Sequence, residues 1–197
     1  MSPRNVNRRR LVILLLTVLA FGIAFYSGSQ YRGREDAPPA ISGVSIQPPS
    51  PLPPPAEGED PGSPLSTTAL SGHWTLAILD PNEGQARSPA LLRLLRVHNQ
   101  LAADPTLQRR LHYLYLPWSG DDEVLKDISA LGDNITAYTP GPEHMGEVFS
   151  RFDADPLRDQ AVLYLIGPDV KLHALFTPGE DAANIAEDLA KLIIPSP

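Results

Sequence analysis

The chain of 197 residues contains no cysteine, and this absence excludes several kinds of chemistry at once. A protein without thiols forms no disulfide, binds no metal through thiolate and performs no thiol–disulfide exchange. The motifs of serine hydrolases (GxSxG), P-loop nucleotide hydrolases and dinucleotide-binding enzymes (GxGxxG) are also missing. The sequence therefore gives no direct indication of an enzyme.

Basic residues are scarce outside the N-terminus. Residues 35–197 carry 10 basic and 23 acidic side chains, a net charge of −13. A segment this acidic repels the phosphates of nucleic acid, so we expect no nucleic-acid partner. The acidity favours a well-solvated surface, and the alternative is a docking face for a basic protein such as a cytochrome.

The one long apolar run lies at the N-terminus. Residues 11–26 (LVILLLTVLAFGIAFY) are uncharged and follow three consecutive arginines. Extended to residue 31, the run is long enough at ~1.5 Å per residue to cross the hydrocarbon core. We predict a cytoplasmic basic N-terminus (residues 1–10), a single-pass anchor (11–31) in a bacterial inner membrane, and a periplasmic C-terminal part. A cleaved signal peptide is the alternative, and residues 25–29 (FYSGS) offer a poor cleavage site.

A proline-rich segment follows the predicted anchor. Ten of the 22 prolines fall between Pro38 and Pro64. Proline fixes φ and removes an N–H donor, so this density favours polyproline II over helix or sheet. We predict a semi-rigid spacer over residues 32–64 and a folded domain over 65–197. A PxxP ligand for a signalling module is the alternative to the spacer.

The rest of the chain alternates between strand and helix patterns. Apolar runs predict strands at 74–79, 111–116, 135–138, 161–166 and 171–176, the last two forming a hairpin at the sheet edge. Helices are predicted from Ser88-Pro89, from Asp121 or Asp122, and over residues 142–152 and 182–193, with Leu131 among the inward-facing residues. The order β-α-β-α-β-α-β-β-α predicts a thioredoxin-like α/β domain with helices on both faces of a mixed sheet.

Several segments of this domain resemble the Sco/SenC family of membrane-anchored cytochrome oxidase assembly proteins. They are residues 51–54 (PLPP), Gly62 and Pro64, 70–76 (LSGHWTL), 88–92 (SPALL), 122–126 (DEVLK), 161–172 (AVLYLIGPDVKL), 175–180 (LFTPGE) and 185–189 (IAEDL). The resemblance spans about residues 50–193, and it implies that residues 50–72 form the hairpin that opens the domain.

The departures from the family decide the expected chemistry. The family binds copper through two cysteines in a CxxxC loop and a distant histidine, and the matching positions here are Gly84, Ser88 and Asp159. Copper(I) prefers sulfur or imidazole, which none of these residues supplies. The resemblance therefore implies a degenerate member with neither metal nor cofactor at this site.

Other residues offer weaker candidate sites. Asp80, Glu83 and Asp159 are carboxylates that could meet at the same cleft and hold an ion or perform acid–base chemistry. Trp118 is interpreted either as an exposed anchor for a partner or as a cover for the sheet edge. Five histidines show no metal-binding spacing, and His144-Met145 is a single pair of soft donors. We expect these histidines to be scattered.

These observations favour one function over two alternatives. The expectation is a non-catalytic accessory protein that supports assembly of a respiratory oxidase through contacts with oxidase subunits or assembly factors. An ion binder or enzyme that uses the cleft carboxylates is one alternative. An anchored structural protein unrelated to copper is the other.

Overall fold

The computed structural model describes residues 40–54, 62–83, 88–120, 122–140, 142–155 and 161–194. Its strands are β1 (Val44–Pro51), β2 (Trp74–Glu83), β3 (Leu111–Ser119), β4 (Ile135–Ala137), β5 (Leu163–Ile166) and β6 (Lys171–Phe176). Its helices are α1 (Thr67–Leu70), α2 (Pro89–Gln100), α3 (Pro105–Arg110), α4 (Asp122–Ser129), α5 (Pro142–Arg151) and α6 (Ala182–Ile193). A short 3-10 turn, Leu101–Ala103, joins α2 to α3.

The strands of the described residues form one sheet in the order β1-β6-β5-β2-β3-β4. β2, β3 and β4 are parallel, because helices connect them, whereas β5 and β6 form an antiparallel hairpin that joins β2. The mixed sheet predicted from the sequence is confirmed. The hairpin is not at the edge, however, because β1 pairs with β6 and covers it.

Strand β1 corrects the predicted spacer. Val44 pairs with Leu175 and Pro51 with Lys171, so residues 44–51 belong to the sheet although they lie inside the predicted polyproline segment. An edge strand tolerates proline wherever the missing N–H would have pointed to solvent. The predicted anchor (residues 11–31) and the rest of the spacer up to residue 39 lie outside the described residues.

Two apolar cores lie on opposite faces of the sheet. Along β2, Leu76 and Ile78 contribute to one core while Ala77 and Leu79 contribute to the other, as the alternation of side chains requires. Helices α2, α3, α4 and α6 cover the first face, and α1 and α5 cover the second. Helices on both faces of the sheet are the arrangement that the sequence predicts.

The helix boundaries follow the capping residues. Ser88 has an extended backbone and its Oγ accepts from the N–H of Ala90 over 3.2 Å, with Pro89 in the first turn of α2. Asp104 caps α3 in the same way, a helix that the sequence prediction missed. The prediction that Leu131 faces inward is wrong, because α4 ends at Ser129 and Leu131 is 54% exposed.

Candidate functional site

The candidate cleft lies where β2 leads into α2. Asp80 is in the last part of β2, and Ser88 is the residue that caps α2. The sequence predicted that this strand ends at residue 79, and the structure corrects that bound: β2 continues to Glu83, so Asp80 belongs to the strand, and its side chain is completely buried (0% exposed). The structure therefore brings two of the predicted site residues, Asp80 and Ser88, together inside the domain.

A buried hydrogen-bonded cluster joins these residues to the neighbouring strand. Oδ2 of Asp80 accepts from the hydroxyl of Tyr115 on β3 over 2.8 Å, and it also accepts from Oγ of Ser88. Ser88 is 4% exposed and Tyr115 is fully buried. Because both hydroxyls converge on one carboxylate oxygen, the cluster fastens the start of α2 to β2 and β3.

The electrostatics of the cluster act on the hydroxyl of Tyr115. The N-terminus of a helix carries partial positive charge, which stabilises a carboxylate beneath it. Burial raises the pKa of Tyr115 well above its usual range, and the charge of Asp80 and the hydrogen bond to it raise it further. Tyr115 therefore remains a protonated hydrogen-bond donor at neutral pH.

Arg93 fixes the other side of α2. Its guanidinium donates to the carbonyl oxygens of Ala161 and Thr177 and, over 3.3 Å, to that of Phe176. Arg93 is only 9% exposed, and burial lowers its pKa from the ordinary arginine value while Glu180 opposes that shift. One side chain of α2 thus holds both Ala161, two residues before β5, and the end of β6.

The remaining predicted site residues lie outside the described part of the chain. These are Gly84, Asp159 and the side chain of Glu83. Ala161, two residues beyond Asp159, is held against α2 by Arg93. The convergence of Gly84, Ser88 and Asp159, and that of Asp80, Glu83 and Asp159, both stay predictions.

The buried position of the cluster limits its contact with a substrate or an ion. A nucleophile or a metal ligand must contact its substrate or ion, yet the Ser88 hydroxyl is buried and both caps α2 and donates to Asp80. Asp80 is equally closed to solvent. The arrangement that these residues form stabilises the start of α2 and resembles a structural cluster more than a reactive one.

Two important residues of this region were missed by the sequence interpretation. Tyr115 was assigned only to a strand, and its partner Asp80 is 35 positions away, beyond any local pattern. Arg93 did leave a signal: it shares the buried stripe of α2 with Ala90 and Val97, where an arginine needs acceptors. A charged residue on an apolar stripe therefore indicates a side chain that donates hydrogen bonds to buried acceptors.

The histidines are less scattered than expected. His73, the residue before β2, and His112 on β3 have ring centroids 4.2 Å apart, which corrects that expectation. His144 and Met145 do not present their donor atoms together. Met145 is buried in the core, whereas His144 is half-exposed and its Nδ1 lies 3.6 Å from a carboxylate oxygen of Glu147. In the described ranges, no group of three or more histidine, cysteine or acidic side chains is placed to hold a metal ion.

Trp118 packs against the domain. Its ring is partly buried, and its centroid lies 6.0 Å from that of Phe149 on α5. This contact favours the interpretation that Trp118 covers the second face of the sheet. None of the helices in the described segments has the length and hydrophobicity needed to span a bilayer.

Solved structures with a similar fold were found by comparison. The solution structure of apo Sco1 from Thermus thermophilus matches with a TM-score of 0.58 and 19% identity, covering 78% of this chain and 97% of that one. The structure of BsSco, a member of the Sco family of cytochrome c oxidase assembly proteins with a disulfide switch, matches with a TM-score of 0.55 and 18% identity over 78% and 99%. Copper-bound yeast Sco1 matches with a TM-score of 0.52 and 14% identity over 66% and 84%.

The sequence comparisons add no relative. No protein-family model matches the chain, and no curated protein matches it. The structural similarity nevertheless confirms the resemblance at the level of the fold: the chain has a Sco/SenC-like thioredoxin fold, and it lacks every cysteine.

Proposed function

We propose that this protein is a membrane-anchored, non-catalytic Sco-like accessory protein of the bacterial periplasm. It supports assembly of a respiratory oxidase through contacts with oxidase subunits or assembly factors. The single observation that carries the proposal is the state of Ser88. This residue stands where the resemblance places the second copper-binding cysteine, and its hydroxyl is buried against Asp80 in a Sco-like fold.

The chemistry of the aligned residues supports a function without copper transfer at that cleft. Ser88 offers a neutral hydroxyl and Gly84 has no ligand atom, whereas copper(I) requires soft donors. The scaffold is kept, and the Asp80–Ser88–Tyr115 cluster stabilises it. A protein that keeps such a scaffold and anchor without the ligands acts most simply by binding other proteins.

The charge of the chain beyond residue 34 indicates the kind of partner. Residues 35–197 carry a net charge of −13, so this part of the protein attracts basic surfaces and repels acidic ones. Electrostatic attraction of this kind speeds association and weakens as salt screens it. We therefore expect the contacts with oxidase subunits or assembly factors to be salt-sensitive.

A deletion strain tests the function. Removing the gene should reduce the amount of assembled oxidase, and the full-length protein supplied from a plasmid should restore it. Oxidase activity and copper content of the membranes are the measurements. Unchanged activity and copper content in the deletion strain would reject the respiratory assignment and leave the anchored structural protein as the better proposal.

A reporter fusion tests the location independently. Alkaline phosphatase joined after Pro197 should be active, because arginines at the start of the chain favour a cytoplasmic N-terminus and a periplasmic C-terminus. A cytoplasmic reporter at the same position serves as the matched control and should be inactive. The reverse result would overturn both the topology and the periplasmic role.

Restoring the ligands tests the alignment on which the proposal rests. The triple variant Gly84→Cys, Ser88→Cys and Asp159→His should bind copper(I) through sulfur, which X-ray absorption detects directly. The double variant without Asp159→His should bind more weakly because it lacks the imidazole. If the folded triple variant shows no copper–sulfur bond, the residue-by-residue match is wrong.

The ion-binding alternative has less support. It needs Asp80 to reach an ion with Glu83 and Asp159, yet Asp80 is fully buried and one of its oxygens already accepts two hydrogen bonds. Calorimetry with calcium separates the two proposals. Heat of binding that disappears in the Asp80→Asn variant would favour the carboxylate site.

A further inference from the structure

A cavity lies at the opposite end of the sheet from Asp80 and Ser88. It occupies about 230 Å³ beside the amino ends of β2 and β3, on the face that α1 and α5 cover. His73 immediately precedes β2, seven residues before Asp80, which at ~3.3 Å per strand residue is about 23 Å away. The cavity is lined by Pro64, Ala69, Leu70, His73, Thr75, His112, Tyr113, Leu114 and Thr136.

Two imidazole rings meet at this cavity. The centroids of His73 and His112 are 4.2 Å apart and the ring planes are inclined by 36°. The strand register explains the contact: Thr75 pairs with His112 across β2 and β3, so His73, Thr75 and His112 lie on one face of the sheet. His73 is half-buried and His112 is exposed, so the pair is accessible to a ligand from solvent.

A buried hydroxyl points to a ligand at the same place. Thr75 is 3% exposed and lines the cavity, and its Oγ1 has no hydrogen-bond partner within the described part of the protein. A buried hydroxyl without a partner loses roughly 1–3 kcal/mol of solvation free energy. A ligand or ligand-bound water that reaches Oγ1 would recover that loss.

We propose that His73 and His112 bind a late first-row divalent metal ion, with the Thr75 hydroxyl hydrogen-bonded to a water on that ion. Imidazole nitrogen is a preferred donor for copper(II), zinc and nickel, and copper(II) binds such donors most tightly of the three. This site shares no residue with Gly84, Ser88 and Asp159. It does not depend on the proposed function.

The protein donors of the proposed site are the two imidazole rings alone. Only two protein nitrogens serve the ion, since the described residues place no third histidine or carboxylate beside them. The remaining positions hold water, which makes the ion exchangeable.

Copper(II) and pulsed electron paramagnetic resonance test the site on the full-length protein in detergent. The wild-type spectrum should show two imidazole nitrogens coupled to one copper ion. His73→Gln and His112→Gln should each leave one nitrogen and weaken binding by about tenfold or more. His144→Gln is the matched control, because His144 is a half-exposed histidine on α5 away from the cavity, and it should change nothing.

A further variant separates the hydroxyl from the imidazoles. Thr75→Val keeps the shape of the side chain, so two nitrogens should still couple to copper while affinity falls by about tenfold. His112 is exposed, so His112→Gln is expected to fold, and circular dichroism checks this. A wild-type spectrum with fewer than two imidazole nitrogens, or one unchanged in both histidine variants, would overturn the proposal.

Discussion

The hydroxyl of Tyr115 donates a 2.8 Å hydrogen bond to Oδ2 of Asp80, joining β3 to β2 beneath the first turn of α2. Tyr113, two residues earlier on the same strand face, is equally buried, but its hydroxyl has no hydrogen-bond partner among the described residues. The two tyrosines thus form a natural pair in which burial is matched and hydrogen bonding differs.

Tyr115→Phe is predicted to destabilise the domain, because it removes a hydrogen bond to a charged group, which contributes about 1.5–3 kcal/mol. Tyr113→Phe, the control, should change the free energy of unfolding by less than ~0.5 kcal/mol or increase it, since its hydroxyl is buried without a partner. Urea unfolding followed by circular dichroism measures both. Equal losses in the two variants would show that the Asp80 contact contributes nothing specific.

Alkaline pH should unfold the protein through the same tyrosines. Burial raises the pKa of both Tyr113 and Tyr115 above the usual tyrosine range. The unfolded chain then releases protons near pH ~10 while the folded chain retains them, so the free energy of unfolding falls as pH rises. Each tyrosine should account for about 1.4 kcal/mol of loss between about pH 9 and about pH 11.

Either tyrosine-to-phenylalanine variant should therefore lose less stability over that pH interval than the wild type. Urea unfolding at the two pH values gives the difference directly. A pH dependence identical in wild type and both variants would mean that other groups cause the alkaline transition.

Arg93→Met is predicted to destabilise the domain by about 3 kcal/mol, because three carbonyl oxygens lose their guanidinium donor and some become buried without a partner. Arg96→Met is the matched control: Arg96 is exposed on the same helix, and its replacement should change stability by less than ~0.5 kcal/mol. Thermal unfolding compares them. A loss of stability as small for Arg93→Met as for Arg96→Met would show that the hydrogen bonds of Arg93 do not stabilise the domain.

Two glycine-to-alanine substitutions should have opposite effects. At Gly167 a Cβ would overlap the His173 ring and lie 2.8 Å from Oδ1 of Asp169, so Gly167→Ala must disturb the contact between those side chains and costs about 1–3 kcal/mol. At Gly146, inside α5, a Cβ meets nothing within 4 Å. Gly146→Ala should stabilise the domain by about 0.5–1 kcal/mol. Thermal unfolding measures both variants, and shifts of the melting temperature in the same direction would contradict the prediction.

The regular part of the fold was accessible from sequence because its signals are local. Helix α6 coincides with the predicted residues 182–193, and Ser88-Pro89 correctly placed the start of α2. Strand β1 was missed because its proline content argues against a strand, and only the pairing with β6 reveals it. Helix α3 repeats the capping pattern of α2 at Asp104-Pro105, so this omission was avoidable.

The candidate site was less accessible because its contacts join distant residues. The sequence identified Asp80 and Ser88 as neighbours of a cleft, but not Tyr115, which donates to the same oxygen of Asp80 from another strand. His73 and His112 were judged by their spacing along the chain, whereas they meet because β2 and β3 run side by side and place the residue before β2 next to His112. Strand register is a long-range property that the composition of either strand does not determine.

The prolines of β1 also bear on self-association. An exposed sheet edge presents N–H groups that a second molecule can pair with, which is a common start for aggregation. Pro48, Pro49 and Pro51 have no N–H to offer, and the opposite edge, β4, is only three residues long. Both edges of the described sheet are therefore poor templates for another strand. We expect the cysteine-free domain to remain monomeric at high concentration.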